Sequence, residues 1–103
     1  MTKASTIQCD TEVAVVGGGV MGCSTAYYLA LAGVPVVLFE KAALVGQEAS
    51  GVNAGGVRQH GRDPAEMPLA IAAIKMWKDL GAELDFDLEY RQGGHLRLAS
   101  SER

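Results

Sequence analysis

A parallel α/β fold is predicted by three features of this 103-residue chain. Two short apolar runs rich in β-branched residues, 12–16 and 34–39, read as strands buried on both faces, the pattern of a parallel sheet. The stretch between them is too long for a hairpin and suits a helical crossover, a connection that is right-handed in nearly all proteins. A glycine-rich turn, Gly17-Gly18-Gly19-Val20-Met21-Gly22, stands where the first strand should hand over to the helix. The expected architecture is a β-α-β unit, followed by a further helix and the start of an antiparallel sheet.

The elements follow in order. Met1 to Cys9 is polar and reads as a frayed tail. Glu12-Val13-Ala14-Val15-Val16 forms the first strand. Val20 to Ala32 carries alanine, leucine and tyrosine without proline, and Gly33 stands where a left-handed residue would end the helix. The second strand has Pro35 at its entrance, where a missing amide is tolerated. Residues 41–62 are punctuated by glycine, serine and asparagine and read as loop with at most one helical turn. Asp63-Pro64-Ala65-Glu66 reads as a helix start with a cap, a first-turn proline and an acidic third residue, although Pro68 favours a start at Met67. Met67, Ala70, Ile71, Ile74 and Trp77 then recur at helical spacing, and Gly81 offers a stop. Finally, Leu84, Phe86, Leu88 and Tyr90 alternate with charged residues, Gln92-Gly93-Gly94 supplies a turn, and Leu96 and Leu98 alternate again: a β-hairpin with one wet face.

Composition removes several classes of function. The formal net charge is −3 and the nine Lys and Arg are scattered, so no basic stripe exists to neutralise a nucleic acid. Residues 13–39 carry no charge and are long enough to cross a bilayer, but five glycines and Pro35 interrupt them, and Asp10 and Glu12 precede them where a signal peptide wants positive charge. No membrane span is expected. Cys9 and Cys23 have neither disulfide-framework nor zinc spacing, and His60 and His95 stand far apart, so no metal site is indicated and a reducing cytoplasm fits.

The pattern Gly17-x-Gly19-x-x-Gly22 carries the chemistry, because it lies between a predicted strand and a predicted helix. In this Rossmann-like context the first glycine permits the tight turn, the second lets a pyrophosphate reach the backbone, and the third lets helix and strand pack closely. The opening amides of the helix, at Val20 and Met21, add unpaired N–H groups and a partial positive charge. Glu40 follows Gly22 by 18 residues at the end of the second strand, where an acid hydrogen-bonds a ribose hydroxyl. A carboxylate there repels a 2′-phosphate, which favours FAD or NAD over NADP.

The segment "DTEVAVVGGGVMGCSTAYYLALAGVPVVLFEK", followed by "EASGVNAGGVRQ", resembles the N-terminus of the D-amino-acid oxidase-like FAD-dependent oxidoreductases, with the sarcosine oxidase β-subunit branch most similar. "LEYRQGGHLRLASSER" resembles the first strands of that family's substrate-domain sheet. The resemblance implies FAD as cofactor, with Lys41 beside Glu40 and with Ser50, Asn53, Gly55 and Gly56 lining the diphosphate or ring side. It places Arg58 near the flavin, to stabilise negative charge on the reduced ring or to meet a substrate carboxylate. It also implies a reaction, hydride transfer from the carbon beside the amine of a small amine or amino acid to the flavin, giving an imine that water hydrolyses. Residues 10–62 would form the FAD-binding β-α-β unit and return loop, and 63–103 the beginning of a substrate domain. Family members are several times longer, so another chain or a further C-terminal part is expected to complete the fold, and the 103 residues alone are expected to be inactive. Trp77 and Tyr90 fit packing better than cofactor stacking, Cys23 fits packing better than a flavin tether, and His60 and His95 read as ordinary side chains. Two alternatives remain open here: the Rossmann half of an NAD-dependent dehydrogenase, and a non-catalytic nucleotide-binding or assembly subunit.

Overall fold

A computed structural model describes residues 8–101, so most of the expected tail over Met1–Cys9 lies outside the described residues. The chain divides between Ala54 and Gly55 into two compact units.

In the first unit, strand β1 (Val13–Val16), helix α1 (Val20–Leu31) and strand β2 (Val36–Phe39) follow one another, and the two strands pair in parallel with Val13 opposite Val36 and Val16 opposite Phe39. Pairing is extended at both ends. The Pro35 carbonyl accepts the amides of Glu12 and Val13, each at 3.1 Å, and the Gly17 amide donates to Phe39 O at 2.7 Å. Pro35 thus lies just before β2, where its own missing N–H costs nothing. Helix α1 is capped by Ala32, and Gly33 takes a φ of 77°, the left-handed conformation that a glycine adopts without a Cβ penalty.

The expectation that β1 is buried on both faces does not hold. Val13 and Val15 are half-buried, whereas Ala14 and Val16 are exposed, Val16 at 86%. The reason is layering: within the first unit α1 packs on β1 and β2, and no other element of that unit covers the opposite face. The half-buried stripe of α1 runs through Gly22, Cys23, Ala26, Tyr27 and Leu29, the spacing of a helix lying on a sheet.

The second unit is organised by helix α2 (Met67–Glu83). The proposed cap at Asp63 belongs instead to the preceding turn, where its Oδ1 accepts the Ala65 amide at 2.8 Å, and the helix opens at Met67 with Pro68 in the first turn. There a proline removes no helical hydrogen bond. Met67, Ala70, Ile74 and Trp77 form its half-buried stripe, while Ile71 lies at the edge. Gly81 does not stop the helix, which continues to Glu83. The stop is a Schellman turn: Phe86 N–H donates to Gly81 O at 3.0 Å, Asp85 N–H to Ala82 O at 3.4 Å, and Asp85 takes the left-handed φ of 50°.

The predicted β-hairpin and its antiparallel sheet are not formed, and no strand occurs between residues 84 and 101. Local hydrogen bonding competes successfully with extension. Asp87 Oδ1 accepts the Glu89 amide at 2.8 Å, and Glu89 has a φ of 53°, which breaks the extended backbone that alternation requires. A two-stranded hairpin with no third strand beside it is marginal in any case. Tyr90 instead rests against Trp77 of α2, with ring centroids 5.6 Å apart.

Candidate functional site: the glycine turn and Glu40

The turn between β1 and α1 is built from backbone. Gly17 has a φ of 103°, open to glycine and strained for other residues, and it redirects the chain out of the strand. Gly18 lies buried at the centre of the turn: its N–H donates to Glu40 Oε2 at 2.6 Å and its carbonyl accepts the Gly46 amide at 2.8 Å. A Cβ on Gly18 would stand 2.8 Å from Val45 Cγ1 and 3.1 Å from Glu40 Cβ, and a Cβ on Gly22 would run into the Gly17 carbonyl oxygen. The turn therefore closes tightly against both α1 and the loop after β2.

Ser50 reaches this turn from 30 residues further along the chain. Its Oγ accepts the Val20 N–H at 2.9 Å, serving the helix end that Gly19, the N-cap, leaves without a side-chain partner. Because a hydroxyl both accepts and donates, Ser50 retains an O–H for an anion at the helix terminus. Met21 is 79% exposed on the same opening turn.

Glu40 holds both sides of the site together. Its Oε1 accepts the Ala42 amide at 2.8 Å while Oε2 takes that of Gly18. These two amides, Ala42 first, hold the carboxyl below its ordinary value of 4.5, and the neighbouring charge of Lys41 acts in the same direction. Beside it lies a cleft of about 140 Å³ lined by Gly19, Glu40, Gly46, Gln47, Glu48 and Ser50.

The structure thus brings Gly17, Gly19, Val20, Gly22, Glu40 and Ser50 around one turn, with Lys41 exposed next to Glu40. Asn53 belongs to the same unit, its amide donating to Ser50 O at 3.4 Å. Gly55, Gly56 and Arg58 fall in the second unit, where Arg58 lines a separate cleft of about 360 Å³. Sequence reasoning gave no role to Gly18, Ala42 or Gly46. The third consecutive glycine was the available signal, since a turn needing two glycines does not explain three.

A β-α-β unit whose glycine turn presents helix-opening amides, with a carboxylate at the end of the second strand, has the features of a dinucleotide-binding fold. The family model described as FAD dependent oxidoreductase (DAO) matches residues 12–103, and the chain belongs to that family. It is 36% identical over 98 residues to a glycine oxidase from Bacillus licheniformis, covering 88% of this chain and 26% of the relative. It is also 36% identical over 90 residues to a sarcosine oxidase subunit beta from Arthrobacter sp, covering 85% and 22%, and 40% identical over 70 residues to a glycerol 3-phosphate oxidase from Mycoplasma pneumoniae, covering 64% and 18%. The chain spans about a quarter or less of the length of these relatives. No solved structure matches.

The cofactor of the family, FAD, fits what the turn offers. Side-chain-free backbone, the opening amide at Met21, and the Ser50 hydroxyl held by the Val20 amide suit a diphosphate, and the ionised Glu40 suits a ribose hydroxyl. Family membership removes the nicotinamide alternative. Among the described residues no helix is long and apolar enough to cross a membrane.

Proposed function

We propose that this chain is the FAD-binding N-terminal portion of an oxidoreductase that oxidises a small amine or amino acid. Its first unit holds the adenosine diphosphate half of FAD. Gly17 and Gly19 let the diphosphate approach the backbone, Gly22 lets α1 close on the turn, Met21 and Ser50 offer donors with Ser50 held by the Val20 amide, and Glu40 with its neighbour Lys41 serves the ribose side. The observation that carries this reading is the Glu40 carboxylate fixed on the Gly18 amide at 2.6 Å, which sets an ionised acceptor beside the helix-opening turn. When bound, the flavin supplies the hydride acceptor. Asn53, Gly55 and Gly56 line the flavin, and Arg58 stabilises negative charge on the reduced ring or orients a substrate carboxylate.

The amine reading draws support from the glycine oxidase and sarcosine oxidase relatives, whose matches cover more of this chain than that of the glycerol 3-phosphate oxidase. The relatives' greater length, and the name "subunit beta" on one of them, support a site completed by further polypeptide or a partner chain. The two widely spaced cysteines are compatible with a cytoplasmic setting.

Purified protein containing this chain should carry flavin absorbance that bleaches anaerobically with glycine or sarcosine. Bleaching with glycerol 3-phosphate and with neither amine would overturn the amine assignment while leaving the cofactor intact.

A further inference from the structure

The two histidines of the chain, far apart in sequence, meet in the fold. His60 and His95 contact each other edge to face with ring centroids 4.2 Å apart, and His60 Nε2 is buried without a hydrogen-bond partner. Both sides of the contact belong to the second unit. Positive groups surround it: a Cβ on Gly61 would stand 2.7 Å from Arg97 Nη1 and 3.4 Å from Arg58 Nη1, and Arg91 lines the same cleft as both imidazoles. No acidic side chain lines that cleft, and the ion pair formed among the described residues is Arg62 to Glu66. Residues 91–98 lie in neither helix nor strand, so side-chain contacts and not a ladder keep them beside residues 57–62.

Such a contact suits a neutral His60. A proton on this ring places a charge in a half-buried position beside His95, Arg58 and Arg97, with no carboxylate to offset it. Moving residues 91–98 away relieves the repulsion, because both rings and Arg97 then reach water. We propose that His60 and His95 form a pH-sensitive clasp, which holds residues 91–98 against residues 57–62 near neutrality and releases them when His60 takes up a proton. The clasp needs no ligand and concerns the second unit alone, so it holds or fails independently of the flavin reading.

The sign of the effect follows from the surroundings of His60. Burial, then His95, Arg58 and Arg97, hold its pKa below the ordinary value of 6.5 in the closed form. The open form therefore binds the proton more readily, and acidification below 6.5 draws the clasp open until His60 is protonated in the closed form as well. The full chain would be titrated from about pH 8 to about pH 5, the range in which an imidazole changes charge. Cross-relaxation between the two rings reports the closed clasp, and the emission of Trp77, the single tryptophan, reports Tyr90 beside it. Ring contact near pH 8 that is lost on acidification is expected, the opening equilibrium growing up to about tenfold per pH unit for one proton taken up. The amides of Gly18 and Val20 should stay unmoved, since the first unit contains no histidine. His60→Phe keeps a ring but no proton site and should remain closed throughout. Where that variant fails to fold, His95→Phe removes one like-charged neighbour and should move the His60 midpoint upward. Ring contact that persists with His60 protonated, an identical transition in His60→Phe, or a His60 midpoint unchanged in His95→Phe overturns the clasp. So does a transition in which the Gly18 and Val20 amides shift in step with the rings, because the whole fold is then lost at once.

Discussion

Glu40 and Gly18, 22 residues apart, are joined by a 2.6 Å hydrogen bond from the backbone amide of the glycine to the carboxylate of the acid. This contact fastens the end of β2 to the turn that opens α1. It also gives an early glycine, the one the dinucleotide pattern leaves free, a structural purpose: a side chain there would displace Glu40 and Val45 together.

Glu40→Gln should therefore weaken FAD binding about tenfold, because a neutral amide accepts backbone N–H groups and ribose hydroxyls less strongly than a carboxylate. Flavin titration by fluorescence quenching measures this directly. Unchanged affinity would show that Glu40 serves the loop and not the cofactor.

The depressed pKa of Glu40 fixes the sign of a pH effect. A carboxyl held lower in the folded state stabilises the fold above its unfolded pKa, and that contribution fades as pH falls through the folded value. The stability gap between wild type and Glu40→Gln should be constant near neutrality and close below pH 4.5, the ordinary value. Denaturant unfolding across that range checks it.

Gly22→Ala pushes a Cβ into the Gly17 carbonyl and should cost about 1–3 kcal/mol, the range for overpacking a tight contact. Gly56→Ala, where a Cβ meets nothing within 4 Å, should stay within about 0.5 kcal/mol of wild type. Thermal or urea unfolding of the pair tests the contrast.

Ser50→Ala strands the Val20 amide and should destabilise the protein by about 1 kcal/mol, the usual value of a helix-capping contact. It should also lower FAD affinity, and Ser50→Thr should restore much of both. Equal stability of Ser50→Ala and wild type would show that water replaces the hydroxyl.

The Schellman turn supplies a prediction in the opposite direction. Asp85 sits at a φ of 50°, which glycine adopts without the Cβ penalty, so Asp85→Gly should stabilise by about 0.5–1 kcal/mol. Calorimetric unfolding reads the change.

The β-α-β unit was legible because its signals are local and agree: β-branched runs, a crossover of helical length and Gly33 at the helix end all name the same elements. The burial of β1 was not, since it depends on which layers face the strand and not on its own composition. Alternation over Leu84–Leu98 gave the wrong element for a related reason: period-two patterning is weak where an Asp87 side chain offers its own turn and no neighbouring strand competes. In the site, the spacing of Gly17, Gly19, Gly22 and Glu40 was readable from the chain, whereas the Ser50 to Val20 contact spans 30 residues and needed the loop's path to become visible.

Titration of the protein with ADP and with FAD, followed through backbone amide resonances, tests the central claim most directly. Saturable shifts at Gly18, Gly19 and Val20 with both ligands, weakened in Glu40→Gln, are the predicted result. Saturable FAD binding that leaves those three amides unmoved would contradict it.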